Sequence, residues 1–525
     1  MPVAAPFDLA KAQDFPDWRR DLVWPITAPL LLDAFERSLA GYLALANSQD
    51  DPAQRQLLLA VGGMTAGLLC GLQEYTLCIQ EEQRLGLRLV SDAAELDFLR
   101  GEPGAIVPDH DLPPQMTHVS LPRYPRVRRF LTTREWTPAW RLPAALLASR
   151  TIAVSVNELL VNYAVTQRQR LRFREAGSYL VEARSRAAAP AAEAGRFAPL
   201  AERIAGIFGH AADLEEPYLS RMQALASARI EPILAQGQRD IEAFSRLPRT
   251  PDEMWSATGG KYAGRLLGLE VMARGGEVVR FDHGGTTGMT SFTGSDAMVE
   301  FCVSSRFVAG TPALAEVIRA GAHVSAEVVG HNGFPNIRKL RLPTRRPGPR
   351  RKVMYLASFS LSHRKNSTSS ISELVYNDWS HRLTNMLAGL PIDLVIKPHP
   401  MSVPADGHHS LEALAEVSYR PFEEVMAQAD VYVYDVLNST TFWEALCTDR
   451  LVVFIDLGYI GRNPALETMF RQRCRVIEAH YDERNRPQVD AAELEAAVAD
   501  GAERADPSTY RQLFLDGESE GPQSP

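Results

Sequence analysis

A histidine followed by two glycines, His283-Gly284-Gly285, stands one residue after a run, residues 277–281, that predicts a β-strand. In an open α/β sheet, ligands bind beyond the carboxyl ends of the strands. The two glycines allow the backbone to approach a substrate closely. The imidazole of His283 can then take a proton from a hydroxyl group as a general base. The alternative is a glycine-rich turn in which His283 makes only local hydrogen bonds.

A second motif, Lys397-Pro398-His399-Pro400, follows another predicted strand, residues 393–396. The prolines hold the backbone around the histidine extended and rigid. A lysine and a histidine presented in this way at a strand end suit the recognition of a phosphate or a carboxylate. A stiff turn at the exit of the strand is the purely structural alternative.

Three consecutive hydroxyl residues, Ser439, Thr440 and Thr441, stand at the start of a predicted helix, residues 440–446, that follows a predicted strand at residues 431–434. The free N–H groups at the start of a helix and the helix dipole both favour an anion. The hydroxyl groups add further donors. Capping of the helix accounts for one hydroxyl residue at this position, but not for three.

Two further segments supply candidate ligands. Glu444, inside the same predicted helix, is either a capping partner or a ligand for a ribose. Arg364 lies in a polar segment, residues 358–370, which is either a loop that brings cations to a diphosphate or an ordinary solvent-exposed loop. The glycine-rich turn at residues 256–261 lacks the phosphate-binding pattern of nucleoside triphosphatases, and no segment carries a dinucleotide fingerprint, so no cofactor is expected.

Alternating strands and helices must position these residues, and this alternation predicts parallel sheets. The first unit has predicted strands at residues 252–257, 277–281 and 298–304 and helices at residues 261–274 and 312–320. The second has predicted strands at residues 353–357, 393–396, 431–434 and 451–455 and helices at residues 370–387, 422–429 and 440–446.

The first 250 residues are mainly helical by their apolar spacing, notably at residues 25–45, 145–184 and 192–247, with strand-like runs at residues 87–91 and 151–156. We therefore predict an α/β protein with two Rossmann-like, doubly wound domains and a large, mainly helical N-terminal portion. The expected organisation is a helical region that partly joins the first α/β domain, the remainder of that domain, a basic linker, a second α/β domain and a tail, at residues 1–250, 251–335, 336–352, 353–510 and 511–525.

Composition narrows the class of protein. The net charge of −8 disfavours a general nucleic-acid binder. Five widely spaced cysteines indicate a reducing compartment and form no metal-binding pattern. No signal peptide is evident, and the apolar stretch at residues 57–72, with four glycines, is expected to be too short to span a bilayer. We expect a cytoplasmic protein.

The segment from Arg338 to Lys352 belongs to a stretch, residues 336–352, with eight Arg or Lys and three Pro. It is either a solvated hinge between domains or a basic lip for an anionic acceptor or a membrane surface. The second alternative would place the protein at the inner face of the membrane.

Taken in order, the motifs DHGGTTG at residues 282–288, IKPHP at residues 396–400 and DVLNSTTFWEAL at residues 435–446 resemble those of bacterial surface-polysaccharide transferases of the GT-B fold. That group includes the capsule 3-deoxy-manno-octulosonate (Kdo) transferases, the GT-B sialyltransferases and the CDP-glycerol glycerophosphotransferases. The resemblance covers roughly residues 250–505 and does not extend to the helical portion.

The resemblance implies a metal-independent glycosyltransferase with the nucleotide donor in the C-terminal domain and the acceptor facing the N-terminal domain. It places His283 near the catalytic base. It has Lys397 and His399 contact the phosphate of the donor or assist its departure, so that His399 is catalytic together with His283. It places the hydroxyl residues at 439–441 on the phosphate at the start of the helix. Gly284, Gly285, Arg364 and Glu444 complete the expected donor and substrate contacts.

Two departures from the group's patterns qualify this resemblance. Asp282 stands where the glycerophosphotransferases usually have Trp, which makes a glycerophosphate donor less expected, and residues 447–450 replace a common Gly-x-Pro turn. The expected reaction is transfer of a sugar, from a CMP-linked acidic sugar, to a bacterial surface glycan or glycoconjugate. The alternatives are a polyol-phosphate transferase, a hydrolase or epimerase of the same architecture, and a catalytically inactive sugar- or nucleotide-binding assembly factor.

Overall fold

The computed structural model describes residues 2–118, 151–187, 195–291, 293–321, 323–340, 350–357, 371–402, 408–499 and 506–515 of the chain. Its strands are β1 Val3–Pro6, β2 Leu87–Val90, β3 Thr151–Ala153, β4 Arg172–Phe173, β5 Glu253–Ser256, β6 Glu277–Phe281, β7 Arg306–Ala309, β8 Glu327–Gly330, β9 Arg351–Ala357, β10 Ile392–Pro398, β11 Glu416–Val417, β12 Val431–Tyr434, β13 Leu451–Asp456, β14 Arg475–Glu478, β15 His480–Tyr481 and β16 Pro487–Gln488.

The helices follow the same chain order. They are α1 Leu9–Ala12, α2 Trp18–Asp21, α3 Ala28–Asn47, α4 Pro52–Leu85, α5 Ala94–Arg100, α6 Pro114–Thr117, α7 Glu158–Thr166, α8 Ala176–Arg186, α9 Ala198–Ala211, α10 Tyr218–Ser245, α11 Tyr262–Ala273, α12 Thr293–Asp296, α13 Pro312–Arg319, α14 Pro335–Lys339, α15 Glu373–Ala388, α16 Phe422–Val425, α17 Thr440–Leu446, α18 Glu467–Arg473, α19 Ala491–Ala499 and α20 Ser508–Phe514.

Two six-stranded parallel sheets form the centres of the two α/β domains. The second sheet has the order β11-β10-β9-β12-β13-β14, so the chain winds outward from β9 in one direction and then returns to add β12 on its other side. The first sheet has the order β4-β3-β5-β6-β7-β8 and also changes direction beside its first strand. These are doubly wound sheets. The predicted fold class is confirmed.

The N-terminal portion contributes both a helical layer and part of the first sheet. Helices α3, α4, α9 and α10 pack on one another, and α4 also packs on α11 of the first α/β domain. Arg265 of α11 is fully buried and donates hydrogen bonds to the carbonyl oxygens of Leu59 and Met298, which ties the helical layer to the sheet. Strands β3 and β4 pair beside β5, although the domain boundaries themselves stay a prediction.

Helix α4 corrects the expectation drawn from residues 57–72. It runs over 34 residues and is long and apolar enough to cross a membrane by length and composition alone. However, 78% of its most apolar window is buried inside the protein, as in the core helix of a soluble protein. The apolar residues of α4 thus pack against the neighbouring helices. The length of the apolar stretch was therefore the wrong criterion for deciding whether it could span a bilayer.

The predicted strand at residues 298–304 was wrong. A π-helix, Ala297–Phe301, occupies most of this segment, and the next strand begins at Arg306. A short apolar run does not distinguish a buried strand from a buried helical turn by periodicity alone. Here Ala297, Met298 and Phe301 are all buried in the core, and because Ala297 and Met298 are adjacent, more than one face of the turn is apolar.

Parts of the predicted linker and of the predicted tail belong to helices and a strand. Residues 336–339 belong to α14 and residues 351–352 begin β9, while residues 341–349 lie outside the described part. Residues 511–514 of the predicted tail belong to α20, whose Tyr510, Leu513 and Phe514 are buried. Because these residues are three and one positions apart, they lie on one apolar face of the short helix. This face packs against the first domain.

Candidate functional site

A pocket of about 630 Å³ lies between the two α/β domains. The first domain contributes His283 and Thr286 from the turn after β6. The second domain contributes the other lining residues: Leu356, Ala357, Lys397, Pro398, His399, Pro400, Tyr419, Pro421, Phe422, Glu423, Tyr434, Val436, Asn438, Ser439, Thr440 and Thr441. The structure thus brings together His283, Lys397, His399 and the three consecutive hydroxyl residues.

The topology of the second sheet explains where the pocket lies. Strands β9 and β12 are neighbours at the point where the winding reverses, and their last residues, Ala357 and Tyr434, line the pocket. The crevice at such a switch point, beyond the carboxyl ends of the strands, is the general ligand site of doubly wound sheets. Lys397 and His399 reach it from β10, on the other side of β9.

Lys397 is the buried cation of this pocket. Its side chain is only 7% exposed, and its Nζ donates to the carbonyl oxygen of Pro398 at 3.0 Å. Burial lowers the pKa of Lys397, and the carboxylate of Glu423 partly opposes this effect. Loss of hydration makes a buried ammonium group a strong site for a ligand anion.

The hydroxyl residues stand at the start of α17. Ser439 occupies the capping position, but its side chain makes no capping hydrogen bond, so capping does not account for this hydroxyl residue. Ser439 Oγ instead lies 2.8 Å from Thr441 Oγ1. Tyr434 fixes the turn, since its hydroxyl donates to the carbonyl oxygen of Thr441 at 2.8 Å. The hydroxyl groups therefore line the pocket and make few hydrogen bonds to other protein groups that a ligand would have to replace.

His283 is exposed toward the pocket, and the protein atoms around its ring lower its pKa below 6.5. The imidazole is therefore neutral near pH 7 and can accept a proton. The neighbouring Asp282 is buried, and burial raises its pKa to about 8, with the carboxylates of Glu300 and Asp296 adding to the effect. Of these two adjacent residues, His283 is the one suited to act as a base.

The turn after His283 is anchored on both sides. Asn157 Nδ2 donates to the carbonyl oxygen of Asp282 at 2.8 Å, and Thr287 Oγ1 donates to Asp282 Oδ1 at 3.2 Å. On the side of the second domain, Asn463 Nδ2 donates to the carbonyl oxygen of Gly288 at 2.6 Å. These bonds hold the His283 turn in a defined place relative to both domains.

Gly284 and Gly285 do not line the pocket wall. Both have a positive φ, +82° and +75°, which glycine adopts without strain. A Cβ atom would lie 2.2 Å from Thr440 Oγ1 at residue 284 and 2.4 Å from Phe514 Cε1 at residue 285. The glycines therefore allow close contact between the domains, whereas the sequence had suggested contact with substrate.

Glu444 is also outside the pocket. It is 2% exposed, and its Oε1 accepts a hydrogen bond from the amide of Asn336 in α14. Burial raises the pKa of Glu444 to about 7, and the carboxylate of Glu423 adds to the shift. Neither predicted role, capping partner nor ribose ligand, matches this position, because Glu444 lies on the face of α17 that packs against the first domain.

Four residues of the pocket were not identified as site residues from the sequence. Tyr419 and Pro421 lie between β11 and α16, and Phe422 and Glu423 begin α16; together they form the wall next to Pro398 and Pro400. The Pro-Phe-Glu run after a short strand was the available signal, but β11 has only two residues and was not predicted. This wall adds two aromatic rings and one carboxylate to the pocket.

Asp435, the first residue of the third motif, organises the sheet beneath the pocket. Its carboxylate is buried and accepts hydrogen bonds from Tyr355 Oη at 2.6 Å, Tyr376 Oη at 3.0 Å and Trp379 Nε1 at 2.9 Å. Burial raises its pKa to about 6. These bonds join β9, α15 and the end of β12, so Asp435 acts on the position of the motif and not on a ligand.

Arg364 and the rest of the segment at residues 358–370 lie outside the described residues, so the predicted contact of Arg364 with a diphosphate stays a prediction. Among the residues that the structure does describe, no group of three or more His, Cys, Asp or Glu is placed to hold a metal ion. All five cysteines are free. Metal independence also stays a prediction.

No protein-family model and no curated protein matches this chain. Among solved structures, it is similar to the wall teichoic acid polymerase TagF, with 11% identity and a TM-score of 0.31, over 74% of this chain and 92% of that chain. It is also similar to the glycosyltransferase SnogD from Streptomyces nogalater, with 12% identity and a TM-score of 0.28, over 69% of this chain and 93% of that chain.

Proposed function

We propose that this protein is a glycosyltransferase that moves a sugar from a nucleotide-linked donor to a hydroxyl group of a glycan acceptor. One observation carries the proposal: the pocket at the switch point of the second sheet combines a buried lysine and three hydroxyl residues with a neutral histidine from the opposite domain. A phosphate site and a base on opposite walls are what transfer from a nucleotide sugar to an alcohol requires.

The donor phosphate fits the side of the pocket formed by Lys397, His399 and the residues at the start of α17. A phosphate there gives the desolvated ammonium group of Lys397 a counter-charge, and the hydroxyl groups of Ser439 and Thr441 donate hydrogen bonds. The nucleoside fits the adjoining wall, where the carboxylate of Glu423 can accept hydrogen bonds from sugar hydroxyl groups.

The pocket residues can account for the proton and the charge that this reaction moves. The acceptor oxygen attacks the anomeric carbon of the donor, and its proton passes to the neutral ring of His283. The bond between the anomeric carbon and the phosphate oxygen breaks, and the electron pair leaves with the nucleotide phosphate. Lys397 and the hydroxyl groups stabilise the negative charge that develops on the leaving group.

The finer assignments also belong to this proposal. The donor is a CMP-linked acidic sugar and the acceptor a bacterial surface glycan, free or lipid-linked, as the motif resemblance implies. The reaction takes place in the cytoplasm at the inner face of the membrane, where the basic segment from Arg338 to Lys352 favours an anionic acceptor or lipid surface.

The first test is thermal stabilisation by CMP, CDP, UDP and GDP. A ligand at about 100 times its dissociation constant stabilises a fold by about 2.7 kcal/mol, which is easily measured. We expect one nucleotide to raise the Tm, and we expect Lys397→Ala and Ser439→Ala to abolish the rise. Lys11→Ala, which removes a lysine paired with Asp92 at the surface, is the matched control and should leave it intact.

Product analysis then identifies the reaction. Release of a nucleotide and formation of a glycosidic bond support the proposal. A product that retains the donor phosphate identifies a polyol-phosphate transferase instead, and turnover without acceptor identifies a hydrolase or epimerase. Absence of any nucleotide effect on the Tm, together with absence of turnover, contradicts the proposal.

A further inference from the structure

We propose that Phe514 is a positioning residue that sets the place of the His283 turn relative to the hydroxyl residues of the other domain. The inference rests on the proposed function in that it assigns His283 and the hydroxyl residues to one reaction. Phe514 itself does not line the pocket. It acts through the elements that carry the pocket residues.

Helix α20 leaves the second domain and packs against the first. The carbonyl oxygen of Leu513 accepts a hydrogen bond from Thr311 Oγ1 at 2.5 Å, and that of Phe514 accepts one from the backbone N–H of Phe334 at 3.1 Å. Tyr510 and Phe514 are fully buried. The end of the described chain is thereby fixed to the loops that follow β7 and β8.

Two glycines make room for the rings of Phe334 and Phe514, whose centroids lie 5.7 Å apart, and a third makes room for the backbone of Phe514. A Cβ atom at Gly285 would lie 2.4 Å from Phe514 Cε1, and one at Gly310 would lie 2.0 Å from Phe334 Cε2. At Gly333 it would lie 3.0 Å from the carbonyl oxygen of Phe514. The ring of Phe514 thus rests directly on the backbone of the His283 turn.

Phe514 also contacts the helix that carries the hydroxyl residues. Its ring stacks on Trp443 of α17, with centroids 6.3 Å apart and planes inclined by 29°. Arg511 Nη1 donates to the carbonyl oxygen of Cys447, just after α17, at 3.2 Å. One buried side chain therefore connects the element that carries the base with the element that carries the phosphate site.

This arrangement has a specific kinetic consequence. All the residues that line the pocket, apart from His283 and Thr286, belong to the second domain, so loss of the Phe514 ring leaves the donor contacts of that domain in place. The His283 turn, however, loses the surface on which Gly285 rests. Since misplacement of a catalytic group by about 1 Å can cost about 100-fold in rate, kcat should fall much more than donor KM rises.

The experiment compares Phe514→Ala and Phe514→Leu with Phe208→Ala, which empties an equally buried site in α9, away from the pocket. We measure kcat, donor KM and amide hydrogen exchange of residues 283–289. We expect Phe514→Ala to lower kcat about 100-fold, to change donor KM less than threefold and to speed exchange of the turn. Phe514→Leu, which refills part of the space, should recover part of the rate.

Each outcome decides between the proposals. Unchanged kcat and unchanged exchange in Phe514→Ala overturn the positioning role, as does an equal loss of kcat in Phe208→Ala. If Phe514→Ala does not fold, the same two measurements on Phe514→Leu decide. If the wild type shows no transfer but exchange of the turn rises in the Phe514 variants, the proposed function fails while the positioning role stands.

Discussion

The backbone of Gly284 lies so close to Thr440 that a Cβ atom at residue 284 would be 2.2 Å from Thr440 Oγ1. Gly284 belongs to the turn after β6 in the first domain, and Thr440 begins α17 in the second. The two domains therefore meet beside the pocket with no room for a single methyl group. The relative position of His283 and the hydroxyl residues depends on this contact.

Gly284→Ala should reduce transfer at least tenfold and lower the Tm, because the methyl group meets Thr440 and because alanine is strained at a φ of +82°. Steady-state kinetics and thermal unfolding check this. The matched control is Gly264→Ala in α11, where nothing lies within 4 Å of the added Cβ. It should stabilise the protein by about 0.5–1 kcal/mol and leave transfer unchanged. Wild-type kinetics in Gly284→Ala would show that the contact is not needed.

His283→Ala should lower kcat by about 10²–10⁴-fold, the usual contribution of a general base. Because the pKa of His283 is lowered from 6.5, the neutral, active form predominates at neutral pH. The kcat/KM of the wild type should therefore rise with pH, with the midpoint of the rise below pH 6.5, and this limb should vanish in the variant. His210→Ala, at an exposed position in α9, is the control and should keep the wild-type profile. A profile unchanged by His283→Ala would exclude His283 as the base.

Glu444→Gln should stabilise the protein at high pH. Burial raises the pKa of Glu444 from 4.5 to about 7, so its stability contribution is complete below about pH 4.5 and is lost as the pH rises through 7. The loss amounts to about 3 kcal/mol at most, and glutamine avoids it while still accepting from Asn336. Urea unfolding at pH 5 and pH 8 checks this. The difference between variant and wild type should grow with pH, whereas the exposed control Glu316→Gln should show none.

Asp435→Ala should destabilise the second domain by about 3 kcal/mol or more, because it leaves the hydroxyl groups of Tyr355 and Tyr376 and the indole N–H of Trp379 without their buried acceptor. Asp393→Ala, at a largely exposed position on β10, should change the free energy of unfolding by no more than about 0.5 kcal/mol. Equal effects of the two substitutions, measured by urea unfolding, would contradict the role assigned to Asp435.

The sequence alone determined most of the local structure near the pocket. The prediction at residues 277–281 coincides with β6, and those at residues 431–434 and 440–446 coincide with β12 and α17. These elements are apolar runs that polar or glycine-containing turns delimit, so their type and bounds are encoded locally. Because parallel strands place their carboxyl ends at one sheet edge, the chemistry-bearing residues that follow them could also be predicted to face a common cleft.

Only the tertiary structure decided how the two domains meet. The glycines after His283 suggested contact with substrate, yet they accommodate Thr440 and Phe514. Glu444 suggested a ribose ligand, yet it pairs with Asn336. Most of helix α20 was predicted as part of a tail, because its short apolar face is buried only by packing against the first domain. Contacts between residues far apart in the chain arise from the complementary shapes of packed surfaces, and the local periodicity of a sequence does not encode such shapes.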